Sequence, residues 1–325
     1  MAFDARFEPL AGVPRAPADP RVELGIELLG ERGAESRGAA LIEAAFQAGD
    51  SEAAAVLATI EAMGAGRPQS WPRALELLEI AALRGSERAR AQLRTLGRSN
   101  SSDWSALRSG ADLAALAAPP VRRPVSERPR IRVIEGFATP GECDWVIAAA
   151  RGKLRPAQVW DPSTGEGRDV PNRTNRALEL GLADMDVVLQ LLRTRIAPAS
   201  NLPLPVFEPA QIMQYRSGEE FRPHYDFLDP DQPGHAPELA RFGQRIATFL
   251  LYLNDDFEGG ETAFPKTGFK YRGRRGDALL FANVDAATRA PDPLTLHAGL
   301  PPMRGEKWIF SQWIRDRSPG PPAGG

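Results

Sequence analysis

The sequence predicts an α+β fold: an antiparallel double-stranded β-helix, or jelly roll, with flanking helices, preceded by an all-α helical-repeat region. Three observations predict it. From about residue 211 onward, short β-prone runs are separated by turns containing Gly and Pro, the pattern of an antiparallel double sheet. Residues 21–97 are instead rich in Ala and Leu at helical spacing. Finally, His224 and Asp226 stand two residues apart in Pro-His-Tyr-Asp, so a strand there would point both side chains to one face.

The 325 residues exceed one typical domain and predict two. With 40 basic and 42 acidic residues the net charge is −2, which gives no overall pull toward nucleic acid or a membrane surface. The single cysteine, Cys143, excludes an internal disulfide framework and a Cys-rich zinc site, and reads as a small buried residue on a helix. The N-terminus has no basic segment followed by an apolar one, and no apolar run approaches the roughly 18 residues that span a bilayer. The expectation is a cytoplasmic protein.

In chain order, residues 1–20 hold Pro9, Pro14, Pro17 and Pro20 with little periodic apolar content, and predict a loose arm. Two segments of the 21–97 region align, Gly49 with Gly85 and Ala53 with Ala89, at a period of 36 residues, the scale of helix-turn-helix solenoids. With Gly64-Ala-Gly66, Trp71, Ala74 and Ala81, the region resembles the Sel1-like branch of the tetratricopeptide superfamily. That resemblance implies a protein partner held through the repeats; a plain helical prefix is the alternative. Residues 98–128, dense in Ser, Pro and charge around one short helical piece, predict a linker. The second domain is expected over 129–317, followed by a flexible tail over 318–325.

That domain opens on alternating Arg130-Ile-Arg-Val-Ile, then a helix with Thr139 as N-cap, Pro140 in its first turn and Glu142 three residues beyond the cap. A loop framed by Gly165 and Pro171 ends in Arg173-Thr174-Asn175. A second helix is expected over about 184–195, with Met185, Val188, Leu189 and Leu192 as its stripe. Strands are expected over 211–215, 224–227, 245–254, 278–282, 295–298 and 307–315, with turns at Gly259-Gly260 and Gly276-Asp277.

An imidazole and a carboxylate are two thirds of a 2-His-1-carboxylate set, which leaves three positions open on Fe(II). His297, in Leu-His-Ala-Gly, is the candidate third ligand. Lys307 follows ten residues later across a Pro-Pro-Met-Arg-Gly turn, predicting a hairpin that brings its ammonium near the metal. Lys307, Ile309, Ser311 and Trp313 would share one face of its strand.

Gln-Tyr215, Pro-His224-Tyr-Asp226, Gly243-Gln-Arg245, Thr248, Tyr252-Leu-Asn254, Gly259-Gly-Glu-Thr262, Leu296-His297-Ala-Gly299 and Gly305-Glu-Lys307-Trp308 occur in one order. Over about 129–317 the chain resembles the prolyl 4-hydroxylase family of 2-oxoglutarate- and iron(II)-dependent dioxygenases. The resemblance implies that His224, Asp226 and His297 ligate iron and that Lys307 pairs with the 5-carboxylate of 2-oxoglutarate. It implies that Tyr215 supports that carboxylate, that Thr248 belongs to the same pocket, that Trp313 walls it, and that Arg245 lies near the substrate. It further implies O2 as co-substrate, ascorbate as reductant, and release of succinate and CO2 as a C–H bond is hydroxylated.

Peptidyl-prolyl members often carry a His two residues past that tryptophan; here Arg315 stands there, as a substrate contact or as a surface residue at a strand end. His235, in a turn-rich loop, is expected in solvent. A protein or peptide substrate fits the helical prefix. A free amino acid or other small molecule, and a non-catalytic adaptor with a metal-binding barrel, remain the alternatives.

Overall fold

The computed structural model describes residues 17–31, 33–161, 166–168, 172–285 and 287–318. The expected arm up to residue 16, Gly165, Pro171 and the tail from 319 lie outside the described residues. The chain forms two compact units, one of Met1–Ala118, Asp144–Ala149 and Leu180–Arg195, the other of Pro119–Cys143, Ala150–Glu179 and Ile196–Gly325.

The first unit is helical. It contains α1 (Pro20–Gly30), α2 (Glu35–Gln47), α3 (Ser51–Met63), α4 (Trp71–Leu83), α5 (Glu87–Gly97), α6 (Trp104–Gly110) and α7 (Leu113–Ala117). To these it adds most of α8 (Pro140–Ala150) and the first part of α9 (Val187–Ser200). The 36-residue recurrence appears as one turn built twice. Gly49 and Gly85 adopt φ of 95° and 100°, open to glycine at no steric cost. The residues after them, Asp50 and Ser86, cap α3 and α5 by accepting from the N–H of Ala53 (2.7 Å) and Ala89 (3.2 Å). Ala53, Ala81 and Ala89 are fully buried, so neighbouring helices approach closely.

Trp145, Val187, Val188 and Leu191 share this helical core. Asp186 ties the pieces together: it accepts from Trp145 Nε1 (2.9 Å) and from the N–H of Leu189 (2.9 Å), and pairs with Arg88 (2.8 Å). The N–H of Val187 donates to Gln92 (2.9 Å). Residues 98–128 differ from the expected linker, because α6 and α7 each carry an Asp cap and bury one leucine, Leu107 or Leu116, in the helical core. α7 matches the one short helical piece expected there, whereas α6, 7 residues long, has too little periodicity to read from sequence.

The second unit holds the strands. Before α10 (Ala236–Phe242) come β1 (Arg123–Glu127), β2 (Arg130–Ile134), β3 (Arg155–Pro156), β4 (Val159–Asp161), β5 (Glu166–Arg168), β6 (Arg176–Glu179), β7 (Gln211–Tyr215) and β8 (Phe221–His224). After it come β9 (Arg245–Tyr252), β10 (Glu258–Gly259), β11 (Thr262–Phe264), β12 (Phe269–Tyr271), β13 (Ala278–Ala282), β14 (His297–Gly299), β15 (Pro302–Arg304) and β16 (Lys307–Arg315). An eight-stranded antiparallel sheet runs β1-β2-β13-β9-β16-β7-β6-β3, and a four-stranded one runs β12-β11-β14-β8. This is the expected jelly roll. Ile131, Val133, Leu250, Leu279, Phe281 and Ile309 of the large sheet pack with Phe264 of the small one in a single core.

The capping box predicted for α8 is present, with the N–H of Thr139 on Glu142 (2.7 Å) and the N–H of Glu142 on the Thr139 hydroxyl (3.2 Å). Two strand expectations are corrected. β8 ends at His224, so Asp226 lies in the bend after it rather than on the strand. His297 and Lys307 are not hairpin partners: β14 pairs with β8 and β11, β16 pairs with β7 and β9, and β15 intervenes on β10. The turn between them crosses from one sheet to the other. Among the described residues no helix is long and apolar enough to cross a membrane.

Candidate active site

Pairing register brings the polar residues together. On the small sheet His297 lies directly opposite His224, so both rings point to the same face, with centroids 4.3 Å apart. The bend after β8 carries Asp226 back between them, its Oδ1 3.6 Å from His224 Nε2 and its Oδ2 3.5 Å from His297 Nε2. On the large sheet Lys307 is opposite Tyr215, Ile309 is opposite Met213 and Tyr252, Ser311 is opposite Leu250, and Trp313 is opposite Thr248. Opposed residues share a face. The two faces flank an open cleft lined by the metal-binding trio together with Lys307, Tyr215, Thr248 and Trp313.

The trio has a donor set that suits Fe(II). Nδ1 of His224 lies 2.8 Å from the Arg222 carbonyl, and Nδ1 of His297 lies 3.0 Å from the Thr295 carbonyl. A carbonyl only accepts, so each Nδ1 carries the proton and each Nε2 presents a lone pair toward Asp226. The ligand atoms all lie within 4.8 Å of one another, as a single ion requires. Burial alone would raise Asp226, but the His297 and His224 imidazoles and a Thr248 hydrogen bond overcome it and hold the carboxyl well below its usual range. His297 is lowered to about 4, by burial first and then by His224, against the pull of Asp226. Both shifts favour the ligating forms, carboxylate and neutral imidazole.

Thr248, expected in the co-substrate pocket, lines the cleft and also donates to Asp226 Oδ2 (2.6 Å), while Asn283 Nδ2 donates to the Thr248 oxygen (3.0 Å). Asn283 is fully buried and was not anticipated. Lys307 is buried, and burial lowers it from 10.5 to about 7, only partly offset by Glu261. Its Nζ lies 5.1 Å and 5.7 Å from the ring centroids of Tyr215 and Tyr252. An ammonium so placed is poised to gain an anion. Burial raises the Tyr215 phenol to about 12, so it stays a hydrogen-bond donor.

Two sequence candidates lie elsewhere. Arg315 is not a surface residue and does not line the cleft; it is buried, paired with Glu208 (2.7 Å) and Glu238, and donates to the Gly243 carbonyl. Arg245 does not line the cleft either: it chelates Glu208 through Nε (2.6 Å) and Nη2 (3.0 Å). Both arginines are held by carboxylates that the sequence places 37 and 77 residues away. His235, expected in solvent, is half-buried and its Nδ1 accepts from the N–H of Asp229 (3.0 Å).

Sequence reasoning also missed Arg173. It bridges to Phe221, is buried, and lines the cleft, with its guanidinium over the Phe221 ring at 4.7 Å. Phe221 in turn stacks on His224 at 3.5 Å and 11°. Burial lowers Arg173, while Tyr215 and Asp226 act to raise it. An arginine in a polar loop gives no periodic signal; only the loop's return to the strand edge makes it a cleft residue.

A family profile described as the 2OG-Fe(II) oxygenase superfamily matches residues 210–315. The chain is 33% identical over 208 residues to prolyl 4-hydroxylase 1 of Arabidopsis thaliana, covering 60% of this chain and 71% of that protein. It is 35% identical over 215 residues to probable prolyl 4-hydroxylase 6 of the same plant, covering 60% and 72%. Among solved structures, the viral collagen prolyl hydroxylase of Paramecium bursaria chlorella virus 1, in complex with 2-oxoglutarate, is similar at 29% identity with a TM-score of 0.43. That match covers 57% of this chain and 94% of the viral one.

Proposed function

The chain belongs to the prolyl 4-hydroxylase family of 2-oxoglutarate- and iron(II)-dependent dioxygenases, and on that premise we propose that it hydroxylates a peptidyl proline. Iron(II), 2-oxoglutarate and O2 are its cofactor and co-substrates. When bound, the metal would activate O2 as the oxidant, so that one oxygen atom enters succinate as 2-oxoglutarate loses CO2 and the other enters a C–H bond of the substrate. Ascorbate is the proposed reductant that keeps the iron ferrous.

The observation that carries the reading is the convergence of His224 and His297 from one sheet, and Asp226 from the bend beside it, with Lys307 and Tyr215 from the other, in one cleft. In this reading the trio holds iron through two Nε2 atoms and a carboxylate, leaving one side open. Lys307 takes the far carboxylate of 2-oxoglutarate as a charge-assisted pair, and the Tyr215 hydroxyl donates to the same group. Thr248 and Asn283 fix the orientation of the Asp226 carboxylate. Trp313, half-buried on the same face, walls the pocket. The prolyl hydroxylase names of the relatives support proline as the target and a peptide or protein as its carrier.

The test is conversion of 2-oxoglutarate to succinate under air with added Fe(II) and ascorbate, by wild type and by His297→Ala, with and without proline-containing peptides. The expected result is a peptide-stimulated signal that His297→Ala abolishes. Turnover stimulated only by free amino acids would move the substrate class to small molecules. Failure of wild type to bind either iron or 2-oxoglutarate would overturn the enzymatic reading.

A further inference from the structure

The cluster that holds Arg245 and Arg315 touches the lining of the cleft at Trp313. Glu208 precedes β7 and is fixed to the end of β16 by its backbone: its N–H donates to the Trp313 carbonyl (3.1 Å), and its own carbonyl accepts from Gln312 Nε2 (2.6 Å). Its carboxylate therefore sits between the facing residues Arg245 of β9 and Arg315 of β16. Oε1 takes Nε of Arg245 (2.6 Å) and Nε of Arg315 (2.7 Å). From α10, Glu238 pairs with Nη2 of Arg315 and lies 3.7 Å from Nη2 of Arg245. Two like charges opposite each other on neighbouring strands repel. Two interleaved carboxylates make the four groups neutral.

The quartet leaves Arg245 with one more contact: its guanidinium carbon lies 3.9 Å from the centroid of the Trp313 ring, and Trp313 lines the cleft. A planar cation that close covers one face of the indole and holds its rotamer. We propose that Glu208 and Glu238 clamp Arg245 as a positioning residue for Trp313, so that this end of the cleft presents an uncharged aromatic wall selecting peptides whose proline has no acidic neighbour. The assignment of peptide as substrate rests on the function proposed above; the clamp itself does not.

The clamp and the selectivity have separate readouts. With 5-fluorotryptophan in the full-length chain, the six tryptophans give six fluorine resonances, and Trp313→Phe identifies one of them. In Glu208→Gln and in Arg245→Lys the Trp313 resonance is expected to shift while the other five stay. An unmoved Trp313 resonance in both variants overturns the clamp. In the iron-loaded enzyme at saturating 2-oxoglutarate, Glu208→Gln and Glu238→Gln are compared with wild type through KM for peptide. They should raise KM for an Ala-flanked proline peptide and lower it for a Glu-flanked one, each by roughly three- to tenfold. A general packing defect would raise both KM values together, and that outcome overturns the selectivity. Wild type without any 2-oxoglutarate turnover would refute the proposed function, while the fluorine spectra would still decide the clamp.

Discussion

Lys307 shows how burial sets the chemistry of one side chain. Its value in the folded chain, about 7, lies below the ordinary 10.5, so between these values the unfolded chain binds more protons than the folded one. The cost of burying its charge is therefore fully present below about pH 7 and is relieved as pH rises toward 10.5. Lys307→Met removes that cost, so the stability gained over wild type should be largest near pH 6 and fade by about pH 10 in paired denaturation curves. The same residue predicts the opposite trend for the co-substrate. If the charged ammonium receives a carboxylate of 2-oxoglutarate, wild-type affinity should fall as pH rises through about 7, and Lys307→Met should weaken it on the order of a hundredfold. Calorimetric titration giving a pH-independent Kd for wild type would remove Lys307 from that role. The type and spacing of this residue were legible in the sequence, but its depressed basicity was not, because desolvation is set by what packs around it.

At the scale of elements, tight turns decide which faces meet. Gly276 precedes β13 with φ of 86°, and a Cβ built there would lie 2.2 Å from the Ala138 carbonyl oxygen. Both the left-handed backbone and the close approach exclude a side chain. Beside it, Asp277 locks the turn by accepting from the N–H of Gly136 and of Arg274, both at 3.0 Å. Gly276→Ala should cost about 2–3 kcal/mol, seen as a lower urea midpoint with an unchanged slope; an unmoved midpoint would show that the turn relaxes freely. The Gly276-Asp277 turn and the Thr139–Glu142 capping box were both readable because each is a local signature. The path from His297 to Lys307 was not. Ten residues with a turn between them suggest a hairpin, yet pairing to strands far away in sequence sends the two ends to different sheets.

For the molecule as a whole, the two compact units do not follow the chain in two consecutive blocks. Residues 144–149 and 180–195 belong with the N-terminal helices, where Trp145, Val187, Val188 and Leu191 complete the apolar core. Burying one such side chain is worth about 1.5–3 kcal/mol. A chain beginning at Pro119 would expose all four and leave Asp186 without Arg88, and is expected to aggregate on expression, as read by gel filtration. A monomeric truncated chain with undiminished 2-oxoglutarate turnover would sink this expectation. The sequence by itself determined the helical first region, the longest strands, the jelly roll, and the candidate residues His224, Asp226, His297 and Lys307, because residue type, alternation and capping act over a few neighbours. Tertiary structure alone decided that Asp226 reaches the metal position from a bend, that Arg173 and Asn283 belong to the site, and that Arg245 and Arg315 share the carboxylate of Glu208. Each of those outcomes depends on a partner tens of residues away, and no local pattern in a chain records which distant carboxylate or strand it will meet.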